Sequence, residues 1–180
     1  KLASFQCTDM MWQPVPNASI LYASSMNKFF RSVDAGDTWT EVTSGLTGML
    51  ASGTRIAVSA QHPEIVYVAT IKDEGTIFKS VDSGQTFTIQ YHNPAYSLTG
   101  YDTLGGGQGN YNFCIEANPD NANQLFLASH NIWRSDDGGV SWNQLTQWWK
   151  TVHTDMHDYA FQPGNSNQLF NANDGGVWLR

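Results

Sequence analysis

One eight-residue pattern, S-x-D-x-G-x-[S/T]-[W/F], occurs three times and constrains the fold more than any other feature. The copies are Ser32-Val-Asp34-Ala-Gly36-Asp-Thr38-Trp39, Ser80-Val-Asp82-Ser-Gly84-Gln-Thr86-Phe87 and Ser135-Asp-Asp137-Gly-Gly139-Val-Ser141-Trp142. The spacing has a local physical reason. Asp34, Asp82 and Asp137 suit tight turns, where a carboxylate accepts backbone N–H bonds. Gly36, Gly84 and Gly139 supply the positive φ such turns need. Trp39, Phe87 and Trp142 then anchor the hairpin by packing beneath it.

The copies start 48 and 55 residues apart, near the roughly 40–50-residue period of four-stranded propeller blades. Their flanks repeat too. Each copy follows a short apolar strand ending in a cation: Lys28-Phe-Phe-Arg31, Thr76-Ile-Phe-Lys79 and Asn131-Ile-Trp-Arg134. Further upstream lie Ile20–Ala23, Ile65–Ala69 and Gln124–Ala128, each after a turn containing Pro14, Pro63 or Pro119. Such β-branched and aromatic runs bounded by Pro, Asn and Gly read as strands. No long segment carries a 3.6-residue apolar period. The expected fold is all-β, a propeller of four-stranded antiparallel blades with about three and a half blades present. Its units are about 1–45, 46–95, 96–147 and an incomplete 148–180. Gly176–Arg180 matches Asn131–Arg134, so the register predicts a fourth copy of the pattern next. The expectation is that the remainder of the propeller continues a longer polypeptide.

Composition narrows the function. The chain has 14% charged and 13% aromatic residues, the reverse of a disordered composition. Nine Lys+Arg against a net charge of −7 exclude the clustered basic footprint that nucleic acid requires. No apolar run approaches the roughly 20 residues of a membrane span. Two cysteines are too few for a disulfide scaffold. Cys7 and Cys114 are expected on inner strands of different blades, as a disulfide or as two buried thiols. The first residues lack the basic and apolar regions of a secretory leader.

The three copies resemble Asp boxes, also called bacterial neuraminidase repeats, which occur in sialidases, sortilin-type receptors, xyloglucan-cleaving glycosidases and photosystem assembly factors. The resemblance implies a propeller in which the box is a peripheral structural hairpin. It does not extend to sialidase chemistry, which needs three arginines around a substrate carboxylate. Of the four arginines, Arg31, Arg134 and Arg180 share one slot beside a box, and Arg55 opens Arg-Ile-Ala rather than Arg-Ile-Pro. Residues 105–180 are similar to large secreted or surface propeller proteins of Bacteroidetes-type bacteria, often exported by type IX secretion. That likeness implies an extracellular or cell-surface setting, with any leader upstream of residue 1.

The sharpest candidate for chemistry is His153-Thr-Asp155-Met-His157-Asp158. In an extended strand, His153, Asp155 and His157 share one face. Two imidazoles and a carboxylate suit a divalent metal ion; no other cofactor is called for. The alternative is a polar cluster that fixes the loop. A glycosidase would need two carboxylates roughly 5–10 Å apart, and the nominated pair is Asp155 or Asp158 with Asp174, the latter in a turn. The Gly105–Gly109 run lacks the Lys-[Ser/Thr] of a phosphate loop. It reads instead as a loop that turns Gln108 and Tyr111 toward a ligand. Trp148 and Trp149, also in a loop, suit stacking on sugars or on a protein partner. Two functions stay open: a non-catalytic surface module binding a polysaccharide or protein partner, and a xyloglucanase-like glycoside hydrolase.

Overall fold

The computed structural model describes residues 6–51, 53–103, 105, 107–147 and 149–179. Among these residues fifteen strands form four antiparallel sheets, each a simple meander. The first contains β1 (Asp9–Trp12), β2 (Leu21–Ser24), β3 (Phe29–Ser32) and β4 (Thr40–Val42). The second contains β5 (Arg55–Val58), β6 (Val66–Thr70), β7 (Thr76–Ser80) and β8 (Thr88–Tyr91). The third contains β9 (Cys114–Ala117), β10 (Leu125–Ala128), β11 (Ile132–Ser135) and β12 (Asn143–Gln144). The fourth has three strands, β13 (Met156–Gln162), β14 (Asn165–Asn173) and β15 (Gly176–Leu179). A 3-10 turn at Lys72–Glu74 is the one helical element among the described residues.

The first strands of the sheets stand side by side, β1 against β5, β5 against β9 and β9 against β13. They line the axis of a β-propeller, and each sheet is a blade. The observed strands begin about one residue later than the sequence runs suggest, with the expected order and pairing.

Period-2 alternation builds the core between blades. Val66 and Val68 of β6 face the first blade, in a cluster with Tyr22, Phe29, Ile56 and Phe78. Tyr67 and Ala69 of the same strand face the third blade, beside Leu125, Leu127 and Trp133. A third cluster joins Cys114, Phe126, Met156, Tyr159 and Leu169. Middle strands are thus covered on both faces, which explains their unbroken apolar runs.

The three repeated turns are nearly superimposable in their bonding. Ser32 Oγ donates to Asp34 Oδ1 at 2.7 Å and accepts the Gly36 N–H at 2.9 Å. Asp34 accepts the Thr38 N–H at 2.8 Å and the Thr38 hydroxyl at 2.5 Å. Ser80, Asp82, Gly84 and Thr86 repeat this set, as do Ser135, Asp137, Gly139 and Ser141. Gly36, Gly84 and Gly139 have φ of 96°, 76° and 89°. Phe87 meets Phe29 edge-on at 5.1 Å, and the Trp142 indole N–H donates to Gly139 O. Trp39 is half-buried beneath its own turn.

The cysteines depart from expectation. Cys114 is buried on β9, but Cys7 lies exposed ahead of β1, and both are free thiols. Cys7 falls outside the strand because β1 starts at Asp9, where its pairing with Ser24 begins. Burial pushes the Cys114 thiol far up, so it stays protonated and inert.

Candidate functional site

Antiparallel meanders send alternate connections to opposite ends of the propeller. The repeated turns follow each third strand and occupy one end, together with the proline turns. The loops that enter β5, β9 and β13 occupy the other, with the 129–131 and 174–175 hairpins. Apart from the repeated turns, the described candidate residues lie at this second end or on the strand that leaves it.

His157 and Asp174 meet directly, with Nε2 and Oδ1 2.7 Å apart. The Tyr111 ring stands edge-on to His157 at 5.1 Å, nearly perpendicular. Gln108 donates to the Tyr101 hydroxyl at 2.8 Å, and its carbonyl accepts the Tyr111 N–H at 2.7 Å. Tyr111 is 56% exposed, so the group forms an open shelf. Asp174 sits in the β14–β15 hairpin, as its Asn-Asp-Gly-Gly sequence suggests. Gly175 is required there by close approach, because a Cβ would come within 2.6 Å of His153 Cβ.

Asp155 points elsewhere. It has φ 63°, in the left-handed region, immediately before β13 starts. Its Oδ1 accepts a bond from the Asn112 amide and lies 3.5 Å from Nε2 of buried His130. Asn112 in turn accepts the Ser129 hydroxyl at 3.0 Å, and the Tyr101 ring covers His130 at 3.9 Å. Asp155 therefore braces the loop entering the fourth blade.

The expectation of one shared face for His153, Asp155 and His157 is corrected by this geometry. The strand begins only at Met156, Asp155 breaks the alternation, and the β13–β14 register shifts between Met156 and Asp158. The three side chains take separate partners: His153 its neighbour Thr154 O, Asp155 the Asn112 amide, His157 the Asp174 carboxylate. Among the described residues no three His, Cys, Asp or Glu converge to hold a metal ion.

Asp158 lies on the channel side. Its Oδ1 accepts its own neighbour's N–H, that of Tyr159, at 2.9 Å. It borders a cleft of about 280 Å³ shared with Asp9, Arg55, Glu116 and His157. The nominated carboxylates are thus divided: Asp158 in this cleft, Asp174 on the shelf and Asp155 packed beneath it. Each inner strand contributes an ionisable group to the cleft: Asp9 from β1, Arg55 from β5, Glu116 from β9, Asp158 from β13. Burial first, then the carboxylates of Asp158 and Asp9, push Glu116 up to about 8. Asp9 is also raised by burial, although it accepts the Ile56 and Met10 N–H groups.

Sequence reasoning passed over Asp9, Glu116 and His130. The available signal was a lone carboxylate inside the apolar run Phe113-Cys-Ile-Glu116-Ala117. Trp149 is 60% exposed; Trp148 lies outside the described residues. No helix among the described residues is long and apolar enough to cross a membrane.

No protein-family model matches the chain. A xyloglucanase of Hypocrea jecorina (strain QM6a) is 26% identical over 161 residues, covering 82% of this chain and 18% of that protein. Among solved structures, a GH74 enzyme of Niastella koreensis superposes with a TM-score of 0.70 at 19% identity, over 94% of this chain and 26% of that one. YCF48 bound to D1 peptide gives a TM-score of 0.62 at 14% identity, over 97% of this chain and 55% of that one. The chain thus spans less than a fifth of the curated relative and about half of the second structure. At these identities the likeness concerns architecture, and it places the chain among the β-propellers.

Proposed function

We propose that the chain is part of an extracellular or cell-surface β-propeller that binds a polysaccharide or protein partner without transforming it. The observation that carries this reading is the shelf of Tyr111, His157 and Asp174 beside Gln108. It is open, aromatic and rich in hydrogen-bonding groups, which suits stacking on a sugar ring or an extended chain. The nominated acids support the same reading. Asp155 and Asp174 are engaged by Asn112 and His157 rather than opposed across a cleft. We read the three repeated turns as Asp boxes serving structure only. Export by a type IX route belongs to this reading as well.

A glycoside hydrolase is the second reading. It is favoured by the likeness to a xyloglucanase and to a GH74 enzyme and by Asp158 sharing its cleft with Glu116. Affinity electrophoresis through xyloglucan, with an assay for new reducing ends, separates the two. The module reading expects retarded migration, at least a fivefold loss of retardation in Tyr111→Ala, and no reducing ends. Steady release of reducing ends that disappears in Asp158→Asn would replace it with the hydrolase. Unretarded migration would remove this polysaccharide as a ligand.

A further inference from the structure

The channel cleft has walls and chemistry of its own and meets the shelf at His157. Its sides include Met11, Ile56 and Ile115, and its polar side chains are Thr8, Asp9, Glu116, His157 and Asp158 with the guanidinium of Arg55. Arg55 already uses one guanidinium N–H on Thr54 O at 3.1 Å. Asp9 and Asp158 accept backbone N–H bonds, whereas the described contacts give Glu116 no hydrogen-bonding partner. Three carboxyls around one guanidinium give the cleft an excess of negative charge.

We propose that this cleft receives the side chain of a lysine presented by a protein partner. An aliphatic stem matches the apolar walls and an ammonium tip matches the carboxyls, the division that long cationic side chains prefer. A compact ammonium on a flexible stem can turn its three donors toward whichever carboxyl lies nearest, whereas a planar guanidinium needs a fixed fork. A bare divalent ion does not fit, because among the described residues no three such ligands converge. This site goes beyond the shelf reading and does not depend on it.

Protons should move with the ligand. The groups facing Glu116 are Asp9 from β1, Arg55 from β5, Cys114 on its own strand, and His157 and Asp158 from β13. With Glu116 held to about 8, an incoming ammonium must expel its proton below that pH. The probe, Nα-acetyl-lysine amide, stays charged to a pH of roughly 10.

The test is an NMR titration of the protein with this probe at pH 6, 7, 8 and 9. Wild type is expected to bind about tenfold more tightly per pH unit up to 8 and then to level off. Glu116→Gln is expected to bind at least tenfold more weakly at pH 9 and to lose the slope. Arg55→Gln, which removes the competing cation, is expected to bind more tightly at pH 9. The uncharged isostere Nα-acetyl-norleucine amide should not bind, and glucosamine should bind more weakly than the lysine probe. Equal binding of the isostere, tighter binding of glucosamine, or an unchanged pH slope in Glu116→Gln with native dispersion would each overturn the proposal. So would the absence of any perturbation at pH 9 in both wild type and Arg55→Gln. Shelf binding of xyloglucan in Tyr111-intact protein is scored separately, so either claim can fail alone.

Discussion

At the scale of single residues, the carboxylates divide into two kinds by what surrounds them. Asp34, Asp82 and Asp137 are held in their ionised form by donors fixed in a turn. The Thr38 hydroxyl, then its N–H and the Ser32 hydroxyl, hold Asp34 down at about 2. For Asp82, burial pushes upward, but the donors of Ser80, Thr86 and Gln85 outweigh it and leave the group at about 2. Asp137 is lowered by the same balance. A carboxylate whose folded value lies below its unfolded one stabilises the native state at neutral pH, and that stabilisation is lost on acidification. Denaturant melts should therefore show stability falling as pH drops from about 4 to 2, with a shallower fall in Asp82→Asn. That variant should also be about 1–2 kcal/mol less stable at pH 7, since two hydroxyl and two N–H donors lose a charged acceptor. Glu116 carries the opposite sign. The unfolded chain releases this proton near its ordinary value of 4.5, while the folded chain keeps it to about 8. Native stability contributed by this group falls as pH rises between those values. Glu116→Gln should consequently gain melting temperature relative to wild type on going from pH 5 to pH 9.

At the scale of strands and turns, each blade is latched to the next by polar contacts at the end carrying the repeated turns. The buried Tyr67 hydroxyl donates to Ala122 O at 3.0 Å, and Ser59 donates to Asn118 O at 2.6 Å. Gln13 reaches Pro63 O, and Asn118 reaches Ser166 O. Tyr67→Phe should lower stability by about 1–2 kcal/mol, because Ala122 O loses its donor in a buried setting. Gly84 shows the same dependence sterically. Its φ is 76°, and a Cβ there would sit 2.9 Å from the Tyr22 ring of the preceding blade. Gly84→Ala should thus cost about 1–3 kcal/mol in urea melts. An unchanged midpoint would mean that the turn and the first blade move apart freely. These glycines were legible because turn chemistry is local, lying within eight residues of sequence. Asp155 was misread because its left-handed backbone interrupts an alternation that the letters alone suggest. His130 and Glu116 were invisible for another reason. Asp155, which approaches His130, and Asp9 and Asp158, which face Glu116, lie on other blades, 25 or more residues away, and only the stacking of sheets brings them together.

At the scale of the whole molecule, fold and site separate by end. The repeated turns and blade latches gather at one end of the propeller. The shelf lies at the other, beside the cleft of the inner strands. That segregation is what a binding module requires: one end fixes geometry and the other is free to vary. The low charge and abundant aromatics of the sequence follow from sheets buried on both faces between neighbours. Strand order was legible from the repeat, while the position of the binding end depended on the connection pattern of the blades. The central claim is that ligand engages the end with the Tyr111, His157 and Asp174 shelf. An amide chemical-shift map of the protein with a xyloglucan oligosaccharide tests it most directly. The account predicts perturbations concentrated at residues 107–112, 153–158 and 173–176, with the oligosaccharide recovered intact. Perturbations centred instead on the turns at 33–39, 81–87 and 136–142 would contradict it.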